Sequence, residues 1–135
     1  MTTPLISGLH HVAIICSDVE RSRRFYEGTL GLELIAATYR RERDSWKVDL
    51  RLPDGAQLEL FSFPGAPARP SYPEARGLRH LALAVTDLEA AIATLNTRGA
   101  ATEPVRTDEF TGSRFTFLAD PDGLPIELYE VGVNK

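Results

Sequence analysis

One cysteine, Cys16, occurs in 135 residues. That excludes an internal disulfide and a cysteine-built zinc module. No apolar run approaches the ~20 residues a helix needs to cross a bilayer. Basic residues are outnumbered 15 to 19 and form no dense run. Arg21, Arg23 and Arg24 give way at once to Phe25 and Tyr26, so the footprint of a nucleic-acid binder is missing. The opening Met-Thr-Thr-Pro-Leu-Ile-Ser-Gly lacks the basic start and long apolar centre of a signal peptide. A cytoplasmic protein with neither nucleic-acid nor membrane partners is the expectation. The remaining balance, 43% apolar and 25% charged, is that of a globular chain long enough for a single domain, 1–135.

What is present is a repeat. Leu-His-His-Val-Ala-Ile-Ile-Cys-Ser-Asp (9–18) aligns with Leu-Arg-His-Leu-Ala-Leu-Ala-Val-Thr-Asp (78–87). Pro-Asp-Gly-Ala-Gln-Leu-Glu-Leu-Phe (53–61) aligns with Pro-Asp-Gly-Leu-Pro-Ile-Glu-Leu-Tyr (121–129). Each half therefore carries one histidine on its first apolar segment, His11 or His80, and one glutamate on its last, Glu59 or Glu127.

Local patterns divide each half alike. Leu9 to Cys16, apolar and β-branched, reads as a strand buried on both faces. Ser17-x-x-Glu20 is a capping-box pattern that opens a helix. Val19, Ser22, Phe25, Tyr26, Thr29 and Leu30 form its buried stripe, and Gly31 ends it. Thr86-x-x-Glu89, the stripe Leu88, Ala91, Ile92 and Leu95, and Gly99 repeat the sequence of signals. Strands are expected at 33–40, 46–52 and 57–63, then at 101–106, 113–119 and 125–131. Asp54-Gly55 and Asp122-Gly123 turn the chain into the last strand of each half. The fold class is α+β, with tandem β-α-β-β-β modules at 8–63 and 78–131. A proline-rich connector, 64–77, crosses the surface between them.

Strand alternation sends His10 and His11 to opposite faces. The repeat selects His11 for a central site, because Arg79 occupies the position matching His10; His10 is left as a surface or structural residue. A lone histidine is more often hydrogen-bonded core than ligand, and a lone strand glutamate is often exposed. Four such positions in register favour a site. Two neutral imidazoles and two carboxylates suit Ni²⁺, Zn²⁺, Co²⁺, Mn²⁺ or Fe²⁺ and cancel a divalent charge. On the face of Glu59 lie Gln57, Phe61 and Phe63; Tyr129 shares that of Glu127. Ala13 and Ile15 accompany His11, and Ala82 and Ala84 accompany His80, small side chains that leave room for an ion and a small organic ligand. Phe61 and Phe63 read equally as core. Trp46 and Arg43 are candidates to hold an anionic substrate, against the alternative of a solvated turn. Cys16 falls on the face opposite His11 and reads as a small buried hydrophobe.

The segments His11-Val-Ala-Ile-Ile-Cys-Ser-Asp-Val, Phe25-Tyr26 with Leu30-Gly31-Leu32, Leu58-Glu-Leu, Arg79-His-Leu-Ala-Leu and Asp120-Pro-Asp-Gly-x-Pro-Ile-Glu-Leu resemble the vicinal oxygen chelate superfamily. Within it the chain is most similar to glyoxalase I, lactoylglutathione lyase, in the manner of short bacterial glyoxalase and bleomycin resistance proteins. The resemblance covers residues 8–131. It implies paired modules whose mixed sheets form a cup around one divalent ion. Carried over by position, it makes His11, Glu59, His80 and Glu127 the metal ligands and Glu127, then Glu59, the catalytic base. It further implies isomerisation of the hemithioacetal of a 2-oxoaldehyde such as methylglyoxal, with a thiol cosubstrate such as glutathione.

Other chemistries of the superfamily stay open. They are a ring-cleaving dioxygenase, a thiol transferase of the fosfomycin type and a metal-free binding module of the bleomycin resistance type. Each module offers half a site, so a homodimer that exchanges modules is expected.

Overall fold

The computed structural model describes residues 4–70 and 74–132. It divides into two compact units, one ending at Ala66 and the other beginning at Pro67. Residues 71–73 of the expected connector lie outside the described residues. No helix among the described residues is long and apolar enough to cross a membrane.

The first unit runs β1 (His11–Cys16), α1 (Val19–Arg23), a π-helical turn (Arg24–Thr29), β2 (Glu33–Arg40), a 3-10 turn (Arg41–Arg43), β3 (Ser45–Arg51) and β4 (Gln57–Ser62). Its sheet has the order β1-β4-β3-β2, with β1 and β4 parallel and the other pairs antiparallel. The second unit repeats the plan. β5 (Leu81–Val85), α2 (Leu88–Thr97), β6 (Arg106–Thr107), β7 (Arg114–Ala119) and β8 (Pro125–Glu130) give the order β5-β8-β7-β6 with β5 and β8 parallel. The architecture is α+β, two four-stranded mixed sheets with few helices.

Each sheet has one face closed by apolar packing. Ile14, Cys16, Tyr26, Val48, Leu50, Leu58 and Leu60 are buried in the first unit; Leu81, Leu88, Leu95, Leu118, Ile126 and Leu128 are buried in the second. β1 is therefore not buried on both faces. Its exposure alternates, with Ile14 and Cys16 inside and His11, Ala13 and Ile15 outside. That alternation frees the odd-numbered face of the strand for chemistry.

Both helix starts fall one residue later than the capping boxes suggest. Asp18 is the N-cap of α1, accepting from the backbone N–H of Glu20 and Arg21 at 3.0 and 3.2 Å. Asp87 caps α2 through Ala90 N–H at 3.0 Å. A carboxylate satisfies these orphan donors and also meets the positive end of the helix dipole. After Arg23 the helix widens, and Leu30 N–H bonds to Phe25 O at 2.8 Å. The wider turn shifts the stripe, so Ser22 and Tyr26 are buried whereas Phe25, Thr29 and Leu30 are half-buried.

The expected strand 101–106 is reduced to Arg106–Thr107. Pro104 has no N–H to donate, so a ladder cannot pass through it. The preceding residues still follow β7. Glu103 N–H bonds to Phe117 O at 2.9 Å, and the Thr116 hydroxyl donates to Glu103 O at 2.6 Å. The hairpins before β4 and β8 turn on Gly55 and Gly123, with φ of 96° and 86° that a side chain disfavours.

In the second unit Glu130 ties helix to sheet. Its buried carboxylate accepts from Leu88 N–H at 2.9 Å, and Arg114 reaches it at 3.1 Å and Glu89 at 2.9 Å. The Arg114 guanidinium first, and the backbone donor second, hold the Glu130 carboxyl below the ordinary carboxylate range. A carboxyl depressed in the folded state stabilises it above the unfolded value of about 4.3 and loses that contribution as pH falls through the folded value. Glu130→Gln is therefore expected to lower the melting temperature by several degrees at pH 7. In thermal melts the gap from wild type should shrink toward pH 3. A gap independent of pH would mean that the carboxylate charge plays no part.

Candidate metal centre

Strand pairing brings one imidazole to one carboxylate in each unit. In the first, His11 Nδ1 lies 3.6 Å from Glu59 Oε2. In the second, His80 Nε2 lies 3.2 Å from Glu127 Oε1. Parallel pairing of the first and last strands sets Ala13 beside Glu59 and Ala82 beside Glu127, and the histidines precede those alanines by two residues. The small side chains leave the carboxylates facing the rings. Glu59 and Glu127 are only 12% and 13% exposed, a costly position for a charge without a partner.

His10 does not turn away as alternation predicts. It precedes β1, so the strand rule does not bind it, and its Nδ1 lies 2.9 Å from His11 Nδ1. The two rings meet edge to face at 5.1 Å. One nitrogen of that pair must donate and the other accept, so His10 constrains the tautomer of His11.

The donors repeat but their surroundings do not. Opposite Glu59 stands Asp49, and opposite Glu127 stands Phe117. Two residues along, Lys47 faces Phe61 while Phe115 faces Tyr129. Lys47 Nζ lies 2.7 Å from Asp49 and 4.0 Å from Glu59. Around Glu127 the neighbours are aromatic: His80 meets Phe117 edge-on at 5.1 Å, and Phe115 stacks on Tyr129 at 6.3 Å. A cavity of about 440 Å³ opens in the second unit, lined by His80, Glu127, Phe115, Phe117, Arg106 and Glu103 among others. Arg106 lies over Phe115 and Phe117 at 5.2 and 5.5 Å and pairs with Glu103 at 3.1 Å.

The other candidate residues are distributed as follows. Phe61 and Phe63 stack on each other at 6.0 Å beyond Glu59, and Arg43 lies over Phe63 at 5.4 Å. Tyr129 donates its hydroxyl to Asp108 at 2.9 Å and also meets the Thr111 hydroxyl. The Asp108 carboxyl is held below its ordinary value by the Phe110 backbone N–H and then by Tyr129. Trp46 packs on Tyr39 at 5.4 Å and alternates with Lys47, on the strand face opposite Asp49 and Glu59. Cys16 is buried and reaches Phe61 O at 3.3 Å.

Sequence reasoning passed over Lys47, Asp49, Phe115, Phe117, Arg40 and Arg106. The signal for the first four was present. Counting back across the Asp54-Gly55 and Asp122-Gly123 turns gives the cross-strand partners of Glu59 and Glu127 directly.

The donor set suits a divalent ion. Bonds of about 2.1 Å from a borderline metal to imidazole nitrogen and carboxylate oxygen set neighbouring donors roughly 3.0–3.4 Å apart. The observed 3.6 and 3.2 Å are within a small side-chain adjustment of that range. Among the described residues no cluster of three or more His, Cys, Asp or Glu donors forms; each unit presents a pair.

Comparison with known proteins identifies the family of the fold. The family model for the glyoxalase/bleomycin resistance protein/dioxygenase superfamily matches residues 8–128. The uncharacterized protein YwkD of Bacillus subtilis (strain 168) is 55% identical over 126 residues, covering 93% of this chain and 98% of that one. A 2-epi-5-epi-valiolone epimerase of Actinomyces sp. is 27% identical over 89% of this chain and 77% of its own. The crystal structure of a glyoxalase family protein from Enterococcus faecalis superposes with a TM-score of 0.87 at 48% identity, covering 94% of this chain and all of that one. The chain thus belongs to the glyoxalase/bleomycin resistance protein/dioxygenase superfamily.

Proposed function

We propose that this chain is a metal-dependent enzyme that moves a proton between neighbouring carbons of a small oxygenated substrate, in the manner of glyoxalase I. The carrying observation is that each repeated unit pairs a nearly buried carboxylate with an imidazole. His11, Glu59, His80 and Glu127 are the proposed ligands of one divalent ion, drawn from Ni, Zn, Co, Mn and Fe. Bound there, the ion would supply Lewis-acid polarisation of two adjacent substrate oxygens.

The substrate of this reading is the hemithioacetal of a 2-oxoaldehyde such as methylglyoxal with a thiol such as glutathione. Glu127 takes the proton from C1 and returns it to C2. The C1 hydroxyl proton ends on the C2 oxygen, and the product is a hydroxyacyl thioester. The unequal surroundings of the two glutamates support this division of labour. Lys47 Nζ lies 4.0 Å from Glu59 and Asp49 stands directly across from it, which leaves that carboxylate in a charged cluster. Phe115 and Phe117, with Arg79 and Arg106, line the cavity that opens beside Glu127, where a substrate carbon has room to meet this carboxylate, so Glu127 is assigned the proton transfer. Phe61, Phe63 and Tyr129 give the substrate carbon frame an aromatic bed. Two modules complete one site, and a homodimer that exchanges them is the proposed assembly. β2, exposed from Glu33 to Tyr39 at the sheet edge, supports pairing of copies.

The epimerase among the relatives favours a second reading of the same site. There Glu127 or Glu59 removes a proton beside a carbonyl, and the other returns it to the same carbon from the opposite face.

Two experiments test the proposal. His80→Ala should weaken Mn²⁺ or Zn²⁺ binding by at least about 100-fold, beyond the usual range for an outer partner. His10→Ala should weaken it by less than tenfold, since His10 only orients His11. Equal losses in calorimetric titration would remove the assigned ligand set. At matched metal occupancy, Glu127→Gln should lose about 10²–10⁴ in turnover, the range for a missing general base, and Glu59→Gln less. Hydron exchange at C1 reads the step directly. Wild-type exchange in Glu127→Gln with loss in Glu59→Gln would reverse the roles, and no effect of either would rule out proton transfer by these groups.

A further inference from the structure

Two guanidinium groups stand over the aromatic platform that continues from Glu59. Arg40 Cζ lies 4.9 Å above the Phe61 ring and 5.6 Å above Phe63, and Arg43 Cζ lies 5.4 Å above Phe63. Arg23, Arg51, Arg79, Arg106 and Arg114 each pair with a glutamate. Arg40 and Arg43 have no carboxylate partner among the described residues. Arg40 donates one bond, from Nη2 to Ser45 Oγ at 3.0 Å. Its Nε is buried and has no acceptor, a costly state for a charged donor.

The turn that carries them is fixed. Asp44 adopts the left-handed region, with φ of 46°, a strained choice that polar side chains tolerate best. Its carboxylate is occupied by the Tyr39 hydroxyl at 2.6 Å. Glu42 lies on the same turn, and among the described residues no ion pair joins it or Asp44 to Arg40 or Arg43. Lys47, next along the face, is neutralised by Asp49 at 2.7 Å. Residues 40–44 carry three arginines against two acids, so the turn bears a net positive charge in a chain whose net charge is −4.

We propose that Arg40 and Arg43 form an oxyanion subsite that grips a phosphate or carboxylate on the substrate whose reacting end lies at His11 and Glu59. This rests on the reading of that pair as part of the reactive centre. Guanidinium forks match such groups in pairs of parallel hydrogen bonds, and stacking on Phe61 and Phe63 holds the forks in place. A small rotation of Arg40 offers the unsatisfied Nε to the arriving oxygen. Along β4, Phe61 and Phe63 lie two and four residues past Glu59, which sets the anion roughly 7–13 Å from that carboxylate. The substrate class is thus a short oxygenated chain with a charged end, or a small aldehyde joined to a thiol that carries the charge.

Inorganic phosphate is the probe, titrated into the full chain with amide chemical shifts as the readout. Wild type should bind it saturably in the millimolar range. Arg43→Gln, which removes a side chain on the exposed turn, should bind at least about tenfold more weakly. Arg41→Gln, an equal loss of charge on the same turn, should bind as wild type. Arg40→Gln should match Arg43→Gln, and the exposed Arg43 keeps the test valid if loss of the Ser45 contact unfolds that variant. His80→Ala leaves the residues of the arginine turn unchanged and should retain phosphate binding, so failure of the metal reading is told apart from failure of the subsite. Displacement of phosphate by glycerol 3-phosphate assigns the charge to the carbon substrate; displacement by glutathione assigns it to the thiol. Equal binding by the Arg41 and Arg43 variants, phosphate that follows metal occupancy instead of Arg43, or displacement by neither compound would overturn the proposal.

Discussion

Cross-strand register is the constraint on which the rest depends. In each unit the parallel contact of first and last strands, and the Asp-Gly hairpin before the last strand, fix which residues share a face. With a period of two, a slip of one residue would turn Glu59 into the space of Leu58 and Leu60 and bring a leucine to the histidine. The slip is forbidden twice. Leu58, Leu60, Ile126 and Leu128 are buried on one side, and the carboxylates find their imidazoles on the other. Packing and chemistry thus select the same register, so the donors hold their places without being part of the core.

The two units keep the donors and change everything around them. Lys47 and Asp49 give the first a charged floor, and Phe115 and Phe117 give the second an aromatic one. A duplicated module with identical halves would treat both glutamates alike. The two glutamates instead sit in unlike surroundings, the first facing Asp49 and the second facing Phe117. The arginine turn over Phe61 and Phe63 adds a further difference, because the second unit places its own stacked cation, Arg106, against Glu103.

The repeat made the module order, the turn glycines, the paired strands and the His–Glu pairs legible, since each depends on local pattern and period. The helix caps moved by one residue because Asp18 and Asp87 outcompete the neighbouring Ser17 and Thr86 for the same orphan donors. Pro104 cut short the strand expected at 101–106. His10 broke the alternation rule because it lies just outside β1. Lys47, Asp49, Phe115 and Phe117 needed register, which is readable from the hairpins. Arg40 stacked over the rings depended on how a turn folds back, which residue spacing does not encode. Trp46, singled out for its type, alternates to the face away from Glu59.

In the proposed function the donors of both modules serve a single ion. Titration of the purified protein with Co²⁺, followed by its electronic spectrum and by total metal analysis, counts ions and reports their ligands together. One tightly bound ion per chain, with two imidazole nitrogens in its ligand field, is the predicted result. Two weak ions per chain, each with one imidazole, would show that every module binds alone and would contradict the account.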